Sequence, residues 1–451
     1  MNNNNKKILL LIIGIAISPF LFAQEKTSSE PWTLMECINY ALKNNINIKR
    51  SNLNVLQNRS SVDQSKADLL PSLNGRATHT YNYGKNQNPA TGVLEDFNAR
   101  GNTFGLSANV TLYNGFTNYN TIKQNTILLD AILADLEQAK NDVGLNVARA
   151  YLQVIVNDEL LRSSKIQLET SKEQLKRTAI LVVAGSLAKL DELQALSQKA
   201  LNESQVVNNE NTLELSKLQL MQLIQLPYDP NFAIVIPDLN PNDFEPVLIT
   251  SSEIYDIALN TQPNVKSTAL RMAASEAGLA AAKGNRLPTI SGFASIDTRY
   301  SGFSVPGFEP DPFSNQLESN LGQNLGFSLN VPIFNNYRVK QGIQNSTINK
   351  ERATLNDIDT KNNLRQQIEQ AYFNATAALK AYSSAEQQVD ALKLTFENME
   401  KQKHLGAINN TDFTLAQNNL SAAESDMIRA KYDYIFKLKI LDFYQGKPLD
   451  F

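Results

Sequence analysis

A single cysteine among 451 residues excludes any disulfide within the chain, so the fold rests on packing alone. Cys37 lies well past the N-terminal apolar run, which excludes it as a lipid-attachment cysteine and leaves a buried place on a short helix. The two histidines, His79 and His404, stand far apart and have no acidic or cysteine neighbours at ligand spacing. No nucleophile motif, glycine-rich phosphate loop or metal cluster is present, so neither an enzyme nor a cofactor is expected. The net charge of −3, from 42 basic and 45 acidic side chains, offers no basic excess for nucleic acid. Beyond the N-terminus no stretch approaches the ~20 apolar residues of a spanning helix. If the mature chain lives in a membrane, it does so through β-strands.

The N-terminus, MNNNNKKILLLIIGIAISPFLFAQ, sets the compartment. Lys6 and Lys7 precede an apolar run over Ile8–Ile17, and Ala23 offers a small residue for cleavage, which predicts a signal peptide over residues 1–23. The Asn- and Lys-rich leader fits an AT-rich Gram-negative bacterium.

The rest of the chain reads as two copies of one plan. LLPSL (69–73) aligns with RLPTI (286–290), 217 residues on; upstream, Glu36 meets Glu253 and Ala41 meets Ala258. Downstream the offset becomes 221: Gly105 meets Gly326, Ala150-Tyr151 meets Ala371-Tyr372, and Gly185 meets Gly406. The predicted organisation is a first repeat over 24–226, a proline-rich linker over 227–250 and a second repeat over 251–451. Each repeat is helix, helix, strand, strand, long helix, return helix. Ile368, Tyr372, Ala375, Leu379 and Tyr382 recur at spacings of three and four, an apolar stripe of coiled-coil type. Ile132, Leu136, Val143, Val147, Ala150 and Val154 do the same in the first half.

Two hairpins, about 71–113 and 288–334, alternate apolar and polar residues. In TFGLSANVTLY the apolar set is Phe104, Leu106, Ala108, Val110 and Leu112; in NLGFSLNVPIF it is Leu325, Phe327, Leu329, Val331 and Ile333. His79 and Phe293 break the pattern. Aromatics near strand ends (Tyr81, Tyr83, Tyr113, Tyr300, Phe334) and the polar-face Arg76, Asp297 and Arg299 favour a barrel wall over a dry sandwich. Four strands cannot close in lipid, so copies of the chain must share one barrel. From Asn114 to Gly185, and from Asn335 to Gly406, each long helix spans roughly 105 Å at ~1.5 Å per residue. The expected fold is therefore an α+β membrane protein: a long helical coiled-coil barrel continuous with a shared transmembrane antiparallel β-barrel, four strands per chain.

The ordered set of WTLMECINYALKNN (32–45), LPSL and LPTI entering the strands, and LYNG and IFNN leaving them, resembles the TolC family of outer-membrane efflux and secretion channels. The doubled GSLAKLDELQA (185–195) and GAINNTDFTLA (406–416) belong to the same resemblance. It implies a homotrimer in the outer membrane, with a helical tunnel projecting into the periplasm. It also implies a tripartite efflux or type I secretion system, with a periplasmic adaptor (membrane fusion protein) and an inner-membrane RND or ABC transporter as partners. The turns at Gly185 and Gly406 become the periplasmic tips. Asp412 matches the first of two lumen-facing aspartates; Leu415 stands at the second, Asp191 and Gln194 are the first-half counterparts, and Ile408 replaces a latching arginine. Adaptor docking is expected on Gly185, Ser186, Leu187, Gly406, Ala407 and Ile408. The alternative is a periplasmic coiled-coil scaffold or adaptor with no membrane barrel.

Overall fold

A computed structural model describes residues 30–88, 91–237, 239, 249–303, 311–405 and 407–448. The expected signal peptide, Gly406 and much of the proline-rich linker lie outside the described residues. The order is α1 (Leu34–Asn44), α2 (Ile46–Ala67), β1 (Ser72–Asn82), β2 (Lys85–Gln87), β3 (Leu94–Asp96), β4 (Ala99–Asn114), α3 (Thr117–Val183) and α4 (Lys189–Ile224). It continues with α5 (Ser251–Thr261), α6 (Pro263–Gly284), β5 (Thr289–Phe303), α7 (Phe313–Ser319), β6 (Gly322–Asn330), α8 (Arg338–His404) and α9 (Asn410–Tyr444). Among the described residues no helix is long and apolar enough to cross a membrane.

Local chemistry sets the boundaries. α1 and α5 each start in a capping box: Glu36 N–H donates to Thr33 Oγ1 (3.3 Å) while Thr33 N–H donates to Glu36 Oε2 (2.9 Å). Thr250 and Glu253 repeat both bonds. Each long helix leaves its strand through two successive left-handed residues, Gly115–Phe116 (φ 65° and 60°) and Asn336–Tyr337 (φ 53° and 61°). At the first elbow a Cβ on Gly115 would stand 2.2 Å from the Gly284 carbonyl oxygen, so backbone touches backbone there.

The helices α3 and α8, 67 residues each, run about 100 Å and carry two tiers. Nearer the strands the packing order is α2–α3–α6–α8; farther away it is α4–α3–α9–α8. The short helices stack end to end. Asn45 Nδ2 donates to the Leu223 carbonyl at 3.2 Å, and Gln262 Nε2 donates to the Phe443 carbonyl at 3.5 Å. At this waist Trp32 bridges Ile234 in parallel, and Tyr151 O–H donates to the carbonyls of Trp32 (3.1 Å) and Val235 (2.5 Å). The core there includes Cys37, Val147, Ile155, Leu220 and Ile224, all essentially inaccessible. Burial lifts the Tyr151 phenol well above its ordinary range.

The apolar stripe of α8 differs in one place from the predicted one. Ile368, Ala375 and Tyr382 are buried as expected, but Leu379 is 37% exposed and Ala378 takes its place in the core. At that height α8 shares its core with α9 alone: Ala378 and Tyr382 pack with Tyr434 and Leu438, and Leu379 falls outside the contact.

The four long strands form one antiparallel sheet, β1-β4-β5-β6. Its two hairpins share a register: Ser72↔Asn109 through Thr80↔Gly101 in the first, Thr289↔Asn330 through Asp297↔Gly322 in the second. Each pair of the second lies 217 residues on from β1 and 221 on from β4. The loops hold more order than their composition suggests. β2 and β3 pair as a small ribbon, and α7 covers the edge of β5 where β6 has stopped. Ser301 N–H donates to Gln316 Oε1 (3.0 Å), and Gln316 Nε2 returns a bond to the Ser301 carbonyl (3.1 Å). Asn320 Nδ2 donates to the Arg299 carbonyl at 2.9 Å. Side-chain amides thus stand in for a missing strand.

Candidate functional site

Two regions combine unusual exposure with built geometry: the sheet and the paired helix turns at the opposite end.

Cross-strand partners share a face, so the register assembles one continuous apolar surface. Leu73, Ala108, Ala294 and Leu325 follow one another across it, with Leu106 beside Ile296 and Ile290 beside Leu329. It is not covered: Leu73 is 72%, Leu325 83% and Phe327 75% exposed. Burying such side chains stabilises by about 1.5–3 kcal/mol each, so a bare apolar face of this extent marks an interaction with lipid or protein. The two breaks in alternation have local explanations. His79 sits edge-on to Tyr81 (4.6 Å, 87°) and hydrogen-bonds Asn102 on the neighbouring strand, within a polar-aromatic band at the end away from the helices. Arg100 adds to that band, 5.8 Å over the Tyr300 ring and donating to its hydroxyl at 3.3 Å. Phe293 turns to the polar face and fills the space left by Gly326, where a Cβ would stand 2.7 Å from its Cζ.

The far turns are compact. After α3, Ser186 N–H donates to the Leu181 carbonyl (2.9 Å) and Gly185 N–H to the Val182 carbonyl (3.0 Å), a Schellman motif with Gly185 at φ 74°. After α8, Ala407 N–H donates to the Gln402 carbonyl at 2.9 Å, the equivalent long bond. Ser186, Leu187 and Ala407 are exposed and Ile408 is half-buried; Gly406 lies outside the described residues.

Asp191 and Asp412 both fall in the first turn of their helices but are used differently. Asp191 spends its carboxylate on the helix start, accepting the Ala188 N–H at 3.2 Å. Asp412 is itself capped, its N–H donating to Asn409 Oδ1 at 2.8 Å, which leaves its carboxylate exposed. Leu415, one turn on, is 58% exposed. Gln194 is drawn into a bridge between the hairpins, accepting from Asn410 Nδ2 at 3.2 Å.

The residue that organises the turns is Lys403, which sequence reasoning missed. Its Nζ donates to Asn410 Oδ1 (2.9 Å) and lies 3.7 Å from the Phe413 ring centroid, itself 5.3 Å from Phe396. Burial pushes the amine down to about 8; Asp191 and Glu400 pull it up, and Arg177 pushes it down. Lys403–Asn410–Gln194 is thus a polar chain from α8 to α4. Gln198 to Asn418 (3.1 Å) and Ser421 to Gln167 continue the contact upward. Its only sequence signal was a lysine three residues before the turn glycine.

The outer membrane efflux protein family matches the chain twice, over residues 37–224 and 254–446. The outer membrane protein TolC of Escherichia coli is 23% identical over 441 residues, covering 95% of this chain and 84% of its own length. The outer membrane efflux protein BepC of Brucella suis is 21% identical over 432 residues, covering 94% and 87%. Among solved structures, the CmeC outer membrane channel of Campylobacter jejuni superposes with a TM-score of 0.76 at 19% identity, over 93% of this chain and 87% of that one. An uncovered amphipathic sheet, a two-tier stack of helices and these matches lead to one assignment: the chain belongs to the outer membrane efflux protein family.

Proposed function

We propose that the chain is one third of a passive conduit across the outer membrane and periplasm. It has no chemistry of its own and serves an inner-membrane RND or ABC transporter through a periplasmic adaptor. The observation that carries this is the open ring. The sheet ends at β1 and β6, the upper helical tier at α2 and α8, and the lower tier at α4 and α8. All these edges carry exposed apolar residues, among them Leu53 and Leu56 on α2, Leu201 on α4, and Leu355 and Phe373 on α8. The two sides differ, so they fit each other rather than themselves, and a heterologous contact that closes makes a ring. Two copies give eight strands and a barrel filled with side chains; three give twelve and leave a channel. A periplasmic scaffold gives no reason for the uncovered apolar face. The two repeats supply one hairpin each to the wall.

The native mass in mild detergent, after extraction from outer membranes, tests the reading. About 145 kDa, three mature chains, is expected. A monomer in the soluble periplasmic fraction overturns it.

The turns at Gly185 and Gly406 are then the periplasmic tips, with Ser186, Leu187, Ala407 and Ile408 offered to the adaptor. Three exposed Asp412 carboxylates around the opening attract cations. Asp412→Ala is expected to weaken block by divalent cations several-fold in single-channel recordings, whereas Asp191→Ala, whose carboxylate is spent on capping, leaves block unchanged. Equal effects reassign the role.

Lys403 lies at the foot of the Asn410–Gln194 bridge that joins the tips in the docked state, and its lowered pKa sets the sign of a pH dependence. An amine displaced downward by burial penalises the docked state while charged. The penalty is full below about pH 8 and is relieved as pH rises from there toward the exposed-lysine value near 10.4. Opening frequency is therefore expected to fall across that window. Lys403→Met removes the dependence; a variant that keeps it shows that another group titrates.

A further inference from the structure

Within one chain the two halves meet along β4–β5, along α3–α6 in the upper tier and along α3–α9 in the lower. The hairpins on either side of that seam coincide pair for pair under the offsets of 217 and 221 residues. The seam itself can therefore be carried forward: β4 and α3 move by 221 to β6 and α8, while β5 and α6 move back by 217 to β1 and α2. These are the elements left at the open edges. We propose that neighbouring copies join in the register of the internal seam, with β6 and α8 of one copy against β1 and α2 of the next. This rests on the trimeric reading above and specifies its contacts residue by residue.

In the sheet, Ser107↔Ser295 becomes Ser328 opposite Thr78 of the next copy, and Ala108↔Ala294 becomes Leu329 opposite Ala77. The faces agree without adjustment. Leu329 and Ala77 both lie on the apolar face, and Ser328 and Thr78 on the polar one. The strands also run antiparallel, as closure requires.

In the helices, the hydrogen bond from Thr117 Oγ1 to Asn285 Oδ1 (3.3 Å) maps onto Arg338 of one copy and Asp68 of the next. A neutral contact inside the chain becomes an ion pair between chains. Arg338 and Asp68 are both exposed in the single chain. Conversely, the internal Asp135–Arg271 ion pair maps onto Asn356 and Asn54, a pair of amides. Neither substitution sets like charges against each other. The copy departs at the elbow: Gly115 and Gly284 map onto Asn336 and Ala67, and both carry a Cβ where the internal seam has room for none. Neighbouring copies therefore stand farther apart at the elbow than the two halves of one chain.

The test is disulfide trapping in outer-membrane vesicles carrying the full protein. Directly opposed strand residues lie about 4.5–5.5 Å apart at Cα, within disulfide range. Ser328→Cys with Thr78→Cys is expected to give a covalent trimer on a denaturing gel after oxidation. Ser328→Cys with Arg76→Cys or Thr80→Cys gives at least tenfold less. Single variants control for the buried Cys37. If native mass remains trimeric but trapping prefers position 76 or 80, the register fails while the conduit reading stands. If native mass is monomeric, both fail. A second measurement is the temperature at which the trimer dissociates. Arg338→Asp and Asp68→Arg each lower it, and the double variant restores it. Additive losses in the double variant overturn the ion pair.

Discussion

Leu106→Arg is expected to remove the protein from the outer-membrane fraction, whereas Ser107→Arg leaves it there. The two positions are adjacent in β4 and differ only in face. Leu106 is the eighth of sixteen residues in the strand, between Gly75 and Ile296 on the apolar side. An arginine on the lipid face near mid-membrane costs about 2–4 kcal/mol. The proposed trimer would carry three, about 6–12 kcal/mol in all, comparable to the total stability of a domain. Ser107 lies between Asn74 and Ser295 on the polar side, where an arginine joins Arg76 and Arg299 in water. Fractionation of both variants by density decides the matter. If both assemble or both fail, the apolar face does not look at lipid.

Gly115→Ala is expected to abolish assembly, while Gly185→Ala only softens a turn. Both glycines are left-handed, at φ 65° and 74°. An alanine pays about 1–2 kcal/mol for that conformation at either place. The difference is space. At Gly185 an added Cβ meets nothing within 4 Å; at Gly115 it meets the Gly284 carbonyl oxygen at 2.2 Å and Leu287 Cβ at 2.8 Å. Backbone cannot give way as a flexible side chain can, so α6 must separate from the elbow, a loss above about 4 kcal/mol. Thermal unfolding of the detergent-extracted protein separates the two. Equal shifts for both variants show that only the turn conformation matters and that the close approach is incidental.

What could be read in the chain beforehand was whatever depends on neighbours close in sequence. Strand alternation has a period of two, so the apolar and polar faces of β4 and β6 were legible. Helix lengths followed from Asn114 to Gly185 and from Asn335 to Gly406, because the turn residues at both ends are local signals. Cys37 as a buried residue on a short helix was legible for the same reason.

Lys403 was not legible. Its ring partner Phe413 is ten residues on, but Asp191 and Arg177 are more than two hundred residues away, and only the docking of two hairpins surrounds the amine. The same holds for Asp191 and Asp412, alike in spacing yet opposite in use, because Asn409 caps one helix and Ala188 has no side-chain oxygen to cap the other. The amides of Gln316 and Asn320 read as loop residues until the early stop of β6 leaves the β5 edge for them to cover.

By itself the sequence determined the elements and the polar and apolar faces of the strands, since periodicity is a local quantity. The tertiary structure alone decided that Ala378 rather than Leu379 fills the core of α8, which carboxylate stays exposed at the turns and which cation lies among the docked hairpins. Each of these depends on groups that meet only when distant helices pack, and on the burial that packing imposes.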